Sequence, residues 1–136
     1  MHKKVIKFTD YNGVEREEEH YFNLTEAELT FMEMSEVGGF KNKMQRIIQA
    51  QDGPALIQAF RDIIRRSYGI KSPDGRQFIK SDEIFKEFEQ TPAYSELIME
   101  LLSDEHKAAE FIAKVLPQDR VKKMADRNTA VTPIGN

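Results

Sequence analysis

The run Ser67-Tyr68-Gly69-Ile70-Lys71-Ser72-Pro73-Asp74-Gly75-Arg76-Gln77-Phe78-Ile79-Lys80-Ser81, followed by Thr91-Pro92-Ala93-Tyr94-Ser95, does most to limit how this chain folds. It is rigid punctuation between helical stretches. Gly69 is placed to end a helix in a left-handed conformation, and Pro73-Asp74-Gly75 is turn chemistry. Ser81 restarts a helix as a side-chain cap, and Thr91-Pro92 restarts another as a cap with a first-turn proline.

The rest of the chain divides in the same manner. Thr25-Glu26-Ala27-Glu28 is a capping box, and Leu24 and Leu29 flank it as a hydrophobic staple. The helix it opens should run to about Glu36, where Gly38-Gly39 stops it. A second helix begins near Phe40 and carries Phe40, Met44, Ile47 and Ile48 on one stripe, until Asp52-Gly53-Pro54 ends it and opens a third. That third helix is the clearest amphipath. Ala55, Leu56, Ala59, Phe60, Ile63, Ile64 and Ser67 recur at three-to-four spacing, with Arg61, Asp62, Arg65 and Arg66 mostly off the stripe. Ile84, Phe85 and Phe88 mark a fourth helix, and Ala93, Tyr94, Leu97, Ile98, Leu101 and Leu102 a fifth. Ser103 is read as the cap of a sixth, which holds Ala108, Phe111, Ile112, Val115 and Leu116. A last helix is expected over 118–126 through Val121 and Met124.

Before the first helix, residues 3–9 and 14–22 read as a β-hairpin around Asn12-Gly13, a strong tight-turn signal. A two-residue loop would set Lys7 opposite Glu18, a favourable pair, but Phe8 opposite Glu17, so the register stays open. The acidic run from Glu15 to Glu19, broken only by Arg16, predicts a wet outer face or a guarded edge. The expected fold is mainly α with a small β part: an N-terminal β-hairpin packed on a bundle of about six helices. One globular domain should span 1–127, with the hairpin over 3–22 and the helical bundle over 26–126. A flexible tail should cover 128–136.

At 136 residues, 40% apolar with nine Phe and four Tyr, the chain is long enough to build a core. No stretch approaches the ~18–20 apolar residues of a membrane span. The segment Met1-His2-Lys3-Lys4-Val5-Ile6-Lys7 is too short and too soon charged to read as a secretion signal. The chain has no cysteine, which excludes disulfides and thiolate metal sites. The net charge of −3, from 23 acidic and 20 basic side chains, gives no global field to recruit nucleic acid or an anionic membrane.

No constellation states a reaction. His2, His20 and His106 are scattered over a terminus, a strand and a helix, without metal-ligand spacing. Asp104-Glu105-His106 reads as first-turn acids that complement a helix dipole. Ser67, Ser72, Ser81 and Ser103 have simpler duties in caps and turns, and no phosphate loop or nucleophile elbow is present. The carboxylate pairs Glu17 with Glu19, Asp82 with Glu83, and Glu87 with Glu89 sit among polar neighbours and read as solvated faces. Catalytic residues, cofactors and metals are therefore all expected to be none.

Two features suit a partner. Arg61, Arg65 and Arg66 form the one basic concentration, with Lys71, Arg76 and Lys80 nearby in sequence. An ordinary solvated face partly paired with Asp62 is preferred for it, then an acidic protein partner, then nucleic acid. The first helix is apolar around much of its girth, because Met32 and Met34, like Leu29 and Phe31, lie two apart. Burial in the bundle is the preferred reading, and an adaptable methionine-bearing groove is the other. The candidate partner-binding residues are therefore Phe31, Met32, Met34, Arg61, Arg65 and Arg66.

In wording and order, several blocks resemble the tail assembly chaperones of long-tailed bacteriophages and prophages. They are Tyr21-Phe22-Asn23-Leu24-Thr25-Glu26-Ala27-Glu28-Leu29, Gly38-Gly39-Phe40, Ala50-Gln51-Asp52-Gly53, the Ser67–Ser81 segment and Thr91-Pro92-Ala93-Tyr94-Ser95-Glu96-Leu97. The likeness spans roughly residues 5–116 and rests on caps, turns and packing positions. It implies a non-enzymatic protein of the infected bacterial cytoplasm, absent from the mature virion. Such a protein keeps the aggregation-prone tape measure protein soluble and recruits tail tube protein. It also implies a longer form made by ribosomal frameshifting, and leaves a homo-oligomer open. The family carries no catalytic residues to transfer. The alternatives are a structural virion component (a head-tail connector or tail terminator), or a small nucleic-acid-binding regulator using Arg61, Arg65 and Arg66.

Overall fold

A computed structural model describes residues 1–116; the expected last helix, the domain limit at 127 and the tail lie outside the described residues. The β-rich N-terminus forms β1 (His2–Thr9) and β2 (Glu15–Phe22), paired antiparallel. The register pairs Lys7 with Glu17 and Phe8 with Arg16, one residue from that of a two-residue loop. The reason lies in the turn. The Asp10 amide donates to the Val14 carbonyl (2.8 Å), while the Gly13 amide donates to the Asp10 carbonyl (2.9 Å) with Gly13 at φ 81°. This is a three-residue loop with a glycine bulge, closed further by the Asp10 carboxylate, which accepts from the Asn12 and Val14 amides.

The helices then follow: α1 (Glu26–Ser35), α2 (Phe40–Ala50) and α3 (Gly53–Ser67). Thr25 and Glu28 form the expected capping box, and Asp52 caps α3 through the Ala55 amide at 3.2 Å. After α3 the chain departs from expectation. Tyr68–Lys71 is a strand, β3, and Phe78–Ile79 a short strand, β4, joined by the Pro73-Asp74-Gly75 turn. Gly69 does not end a helix in the left-handed region. It sits in β3, where a Cβ would meet the Phe78 ring at 2.7 Å and the Ile79 carbonyl at 2.8 Å. The hairpin thereby becomes a four-stranded antiparallel sheet in the order β1-β2-β3-β4, joined by Tyr21 opposite Gly69 and Phe22 opposite Tyr68.

Three further helices, α4 (Asp82–Glu89), α5 (Pro92–Ser103) and α6 (Glu105–Val115), complete a mainly α fold with a small β part. Ser81 caps α4 through the Ile84 amide. The cap of α6 is Asp104, which accepts from the His106 and Lys107 amides, and not Ser103. The Ser103 hydroxyl instead donates back to the Glu100 carbonyl, which closes α5.

Helices α5 and α6 pack on the face of β1 that carries Ile6 and Phe8. Phe22, fully buried, is the centre of the core, with ring centroids of Phe111, Tyr68 and Phe88 at 5.1, 5.4 and 6.0 Å. Phe60, Phe85, Phe88 and Phe111 are all buried as their spacing predicts. Below this core lies a polar junction built on Lys80. Its ammonium donates to the Asn23 carbonyl (2.6 Å), the Arg66 carbonyl (2.8 Å) and the Glu28 carboxylate (2.7 Å). Burial alone would raise the Glu28 pKa, but the hydrogen bonds from Lys80 and the Thr25 amide outweigh it and hold the group below its ordinary value.

Candidate functional site

The polar side chains that could suggest chemistry are engaged in holding the fold together. His20 lies between β3 and α4, with Nδ1 2.9 Å from the Tyr68 hydroxyl and Nε2 3.3 Å from the Glu18 carboxylate. A carboxylate only accepts, so a neutral His20 carries its proton on Nε2, and Nδ1 accepts from Tyr68. Burial pulls the His20 pKa down, against the opposing charge of Glu18. Burial also pushes Tyr68 up to about 12, helped by the negative charges of Glu18 and Glu87. The row Glu18–His20–Tyr68 is a clasp between β2 and β3, with the Phe88 ring stacked on Tyr68.

His2 packs edge-on against Phe111 at 5.6 Å, and His106 lies in the first turn of α6, its amide donating to the Asp104 cap. Among the described residues, no group of histidines and carboxylates could hold a metal ion, and no helix is long and apolar enough to cross a membrane.

The basic concentration is largely neutralised by α4. Arg61 lies 2.9 Å from Glu89 and over the Phe85 ring, and Arg65 lies 2.8 Å from Asp82. Asp62 instead accepts from Gln58, its neighbour one turn away. Arg66 is exposed and stands at the rim of a small cleft between α1, α2 and α3, floored by Met32, Phe40, Met44 and Ala59. At about 20 Å³ this cleft has room for a single water.

The remaining candidates lie on α1, and the structure separates them. Met32 is 4% exposed and belongs to the core. Phe31 and Met34 are 74% and 79% exposed, on the opposite side of the helix beside the exposed Ala27. Positions 27, 31 and 34 are spaced to share one face, so they form an uncovered apolar stripe. Val37, just past the helix, is itself 92% exposed. The preferred expectation of burial all round α1 therefore holds on one side only. Sequence reasoning passed over Val37; its signal was an apolar residue set against Gly38-Gly39, where no helix continues to cover it. Both glycines have positive φ, and Glu33 of α1 accepts from the Lys41 amide to cap α2 across the turn.

Among the described residues, then, there is an uncovered apolar helix face, the kind of surface by which one protein meets another polypeptide. A family model described as phage tail assembly chaperone matches residues 1–133, and the chain belongs to that family. No curated protein and no solved structure gives a significant match to it. Phage tail proteins are accordingly its partners, in the host cell during tail assembly.

Proposed function

We propose that this chaperone binds the phage tape measure protein, keeps it soluble and helps recruit tail tube subunits to it, without catalysis, and leaves before the virion is complete. The observation that carries this reading is the exposed stripe of Phe31 and Met34 on α1. Large apolar side chains left in water on a helix surface are a cost unless another surface covers them. Methionine adapts its shape to irregular apolar partners, which suits a chaperone that meets successive helical segments of a long client. Arg66, unlike Arg61 and Arg65, has no ion pair among the described residues; it lines the cleft on the Met32 side of α1 and so is not part of the stripe.

The test is co-expression of the chain with the tape measure protein, as wild type and as Phe31→Ser/Met34→Ser. The wild type should raise the soluble yield of the client and co-purify with it, and the double variant should do neither while folding normally. Equal rescue by the variant would remove the stripe from the mechanism. Recovery of the chain in purified particles would replace the chaperone reading with that of a virion component.

A further inference from the structure

The sheet has an open edge with a definite chemical character. Because Asp10 and Val14 are a hydrogen-bonded pair at the turn, alternation along the ladder makes Phe8, Ile6, Lys4 and His2 the residues bonded to β2. The N–H and C=O groups of Thr9, Lys7, Val5 and Lys3 therefore point away from β2, to the edge of the sheet. Among the described residues no strand lies beyond β1, and α5 and α6 pack on its face. The side chains of Lys3, Val5 and Lys7 form one exposed row on the outer face.

What that row recognises is displayed inside the molecule. On β2, Glu17 stands opposite Lys7, Glu19 stands opposite Val5, and the Lys3 ammonium reaches Glu19 at 3.5 Å. A second β1 is a poor occupant, since antiparallel pairing of Val5 with its own copy sets Lys3 against Lys7. We propose that the β1 edge docks an extended acidic segment of a partner protein, with Glu or Asp at alternate positions around an apolar residue. Backbone pairing supplies the binding and the two lysines the selectivity. This surface is separate from the α1 stripe and stands or falls without it.

The test titrates the full chain at low ionic strength with a short peptide alternating Glu and Val, and with its Lys/Val counterpart. Only the Glu/Val peptide should bind, more weakly as salt rises, and it should slow exchange of the Lys3, Val5, Lys7 and Thr9 amides. Lys3→Gln/Lys7→Gln should weaken binding roughly fivefold, as the loss of two exposed ion pairs. Val5→Pro removes an edge N–H that the β1–β2 ladder does not use, so it should abolish binding with little change in melting temperature. If that variant unfolds, the lysine variant and the exchange pattern decide. Equal binding of both peptides, or protection along Glu15–Glu19 in place of β1, overturns the proposal. So does concentration-dependent self-association that Val5→Pro abolishes and Lys3→Gln/Lys7→Gln strengthens, which would give the edge to a second copy.

Discussion

The Lys80 junction and the α1–α2 corner are joined by one helix and built on opposite principles. At the junction, segments from four parts of the molecule satisfy one another. Lys80 ties the segment after β2, the first turn of α1 and the end of α3. The Asn23 amide donates to the Ser67 carbonyl (2.7 Å), and the Leu24 amide to the Val115 carbonyl (3.2 Å). Ser67, fully buried, turns its hydroxyl back on the Ile63 carbonyl at 2.6 Å. At the corner, α1 and α2 bury one residue each, Met32 and Met44, and the turn between them is held by Glu33 on the Lys41 amide and Glu36 on Lys43. Paired polar groups in a partly dry site resist opening, whereas a helix with few buried contacts is free to adjust to a partner. The difference teaches that this fold keeps its stability and its exposed apolar surface in separate places.

The largest break in that comparison is at the core above the junction. Phe22→Ala removes the ring that Phe111, Tyr68 and Phe88 surround and should cost about 3–5 kcal/mol, read as a shift in denaturant midpoint. A cost near ~1 kcal/mol would mean that the sheet and helices meet less closely than those ring distances require. Next comes Lys80→Met, which keeps the aliphatic stem and strips the donor from two carbonyls and a carboxylate. At 21% side-chain exposure water replaces part of what is lost, so the expected cost is about 2 kcal/mol. A neutral result would dissolve the contrast between the two regions.

Lys80 also marks the limit of what the sequence discloses. Caps were legible because their partners lie within three residues: Thr25 with Glu28, Asp52 with Ala55, Ser81 with Ile84. Stripes were legible because burial repeats with the helix, which is how Phe60, Phe85, Phe88 and Phe111 were placed in the core. Lys80 meets Asn23 across 57 residues, and Tyr68 meets His20 across 48, so no local pattern announces either. The strands β3 and β4 were missed because four and two residues are too few to show alternation, and Gly69 after a long helix mimics a helix stop. Only the opposing strand β2 decides that the chain extends there. Of the proposed surface, the apolar girth of α1 was legible but not which side is covered, since that depends on where α2 and α3 pack. The pairing of Arg61 and Arg65 with α4 was hidden for the same reason.

A smaller effect comes from the clasp beside the junction. Burial holds the His20 pKa below its ordinary value, so below about pH 6.5 the unfolded chain takes up a proton that the folded chain does not. Stability should therefore fall as pH drops through that range and level off once the folded His20 is itself protonated. His2, lowered chiefly by burial and then by Lys114 and Lys4, acts with the same sign. His20→Gln should flatten part of this slope and leave the share due to His2. Unfolding midpoints measured above about pH 5, before most carboxylates titrate, isolate the histidines. An unchanged slope in His20→Gln would place that ring in water.

The smallest effect on stability is the most discriminating for the corner, because it compares neighbours on one helix. Phe31→Ser and Met34→Ser remove exposed apolar side chains and should change the unfolding free energy by no more than about 0.5 kcal/mol. Met32→Ala, between them, empties a buried site and should cost about 2–5 kcal/mol. A helix buried on all sides would show three large values, and one held loosely at the surface three small ones. Alternation of small, large and small fits only a helix with a core side and an uncovered side. If Phe31→Ser instead costs as much as Met32→Ala, something already covers the stripe in the free protein, and a client would have to displace it.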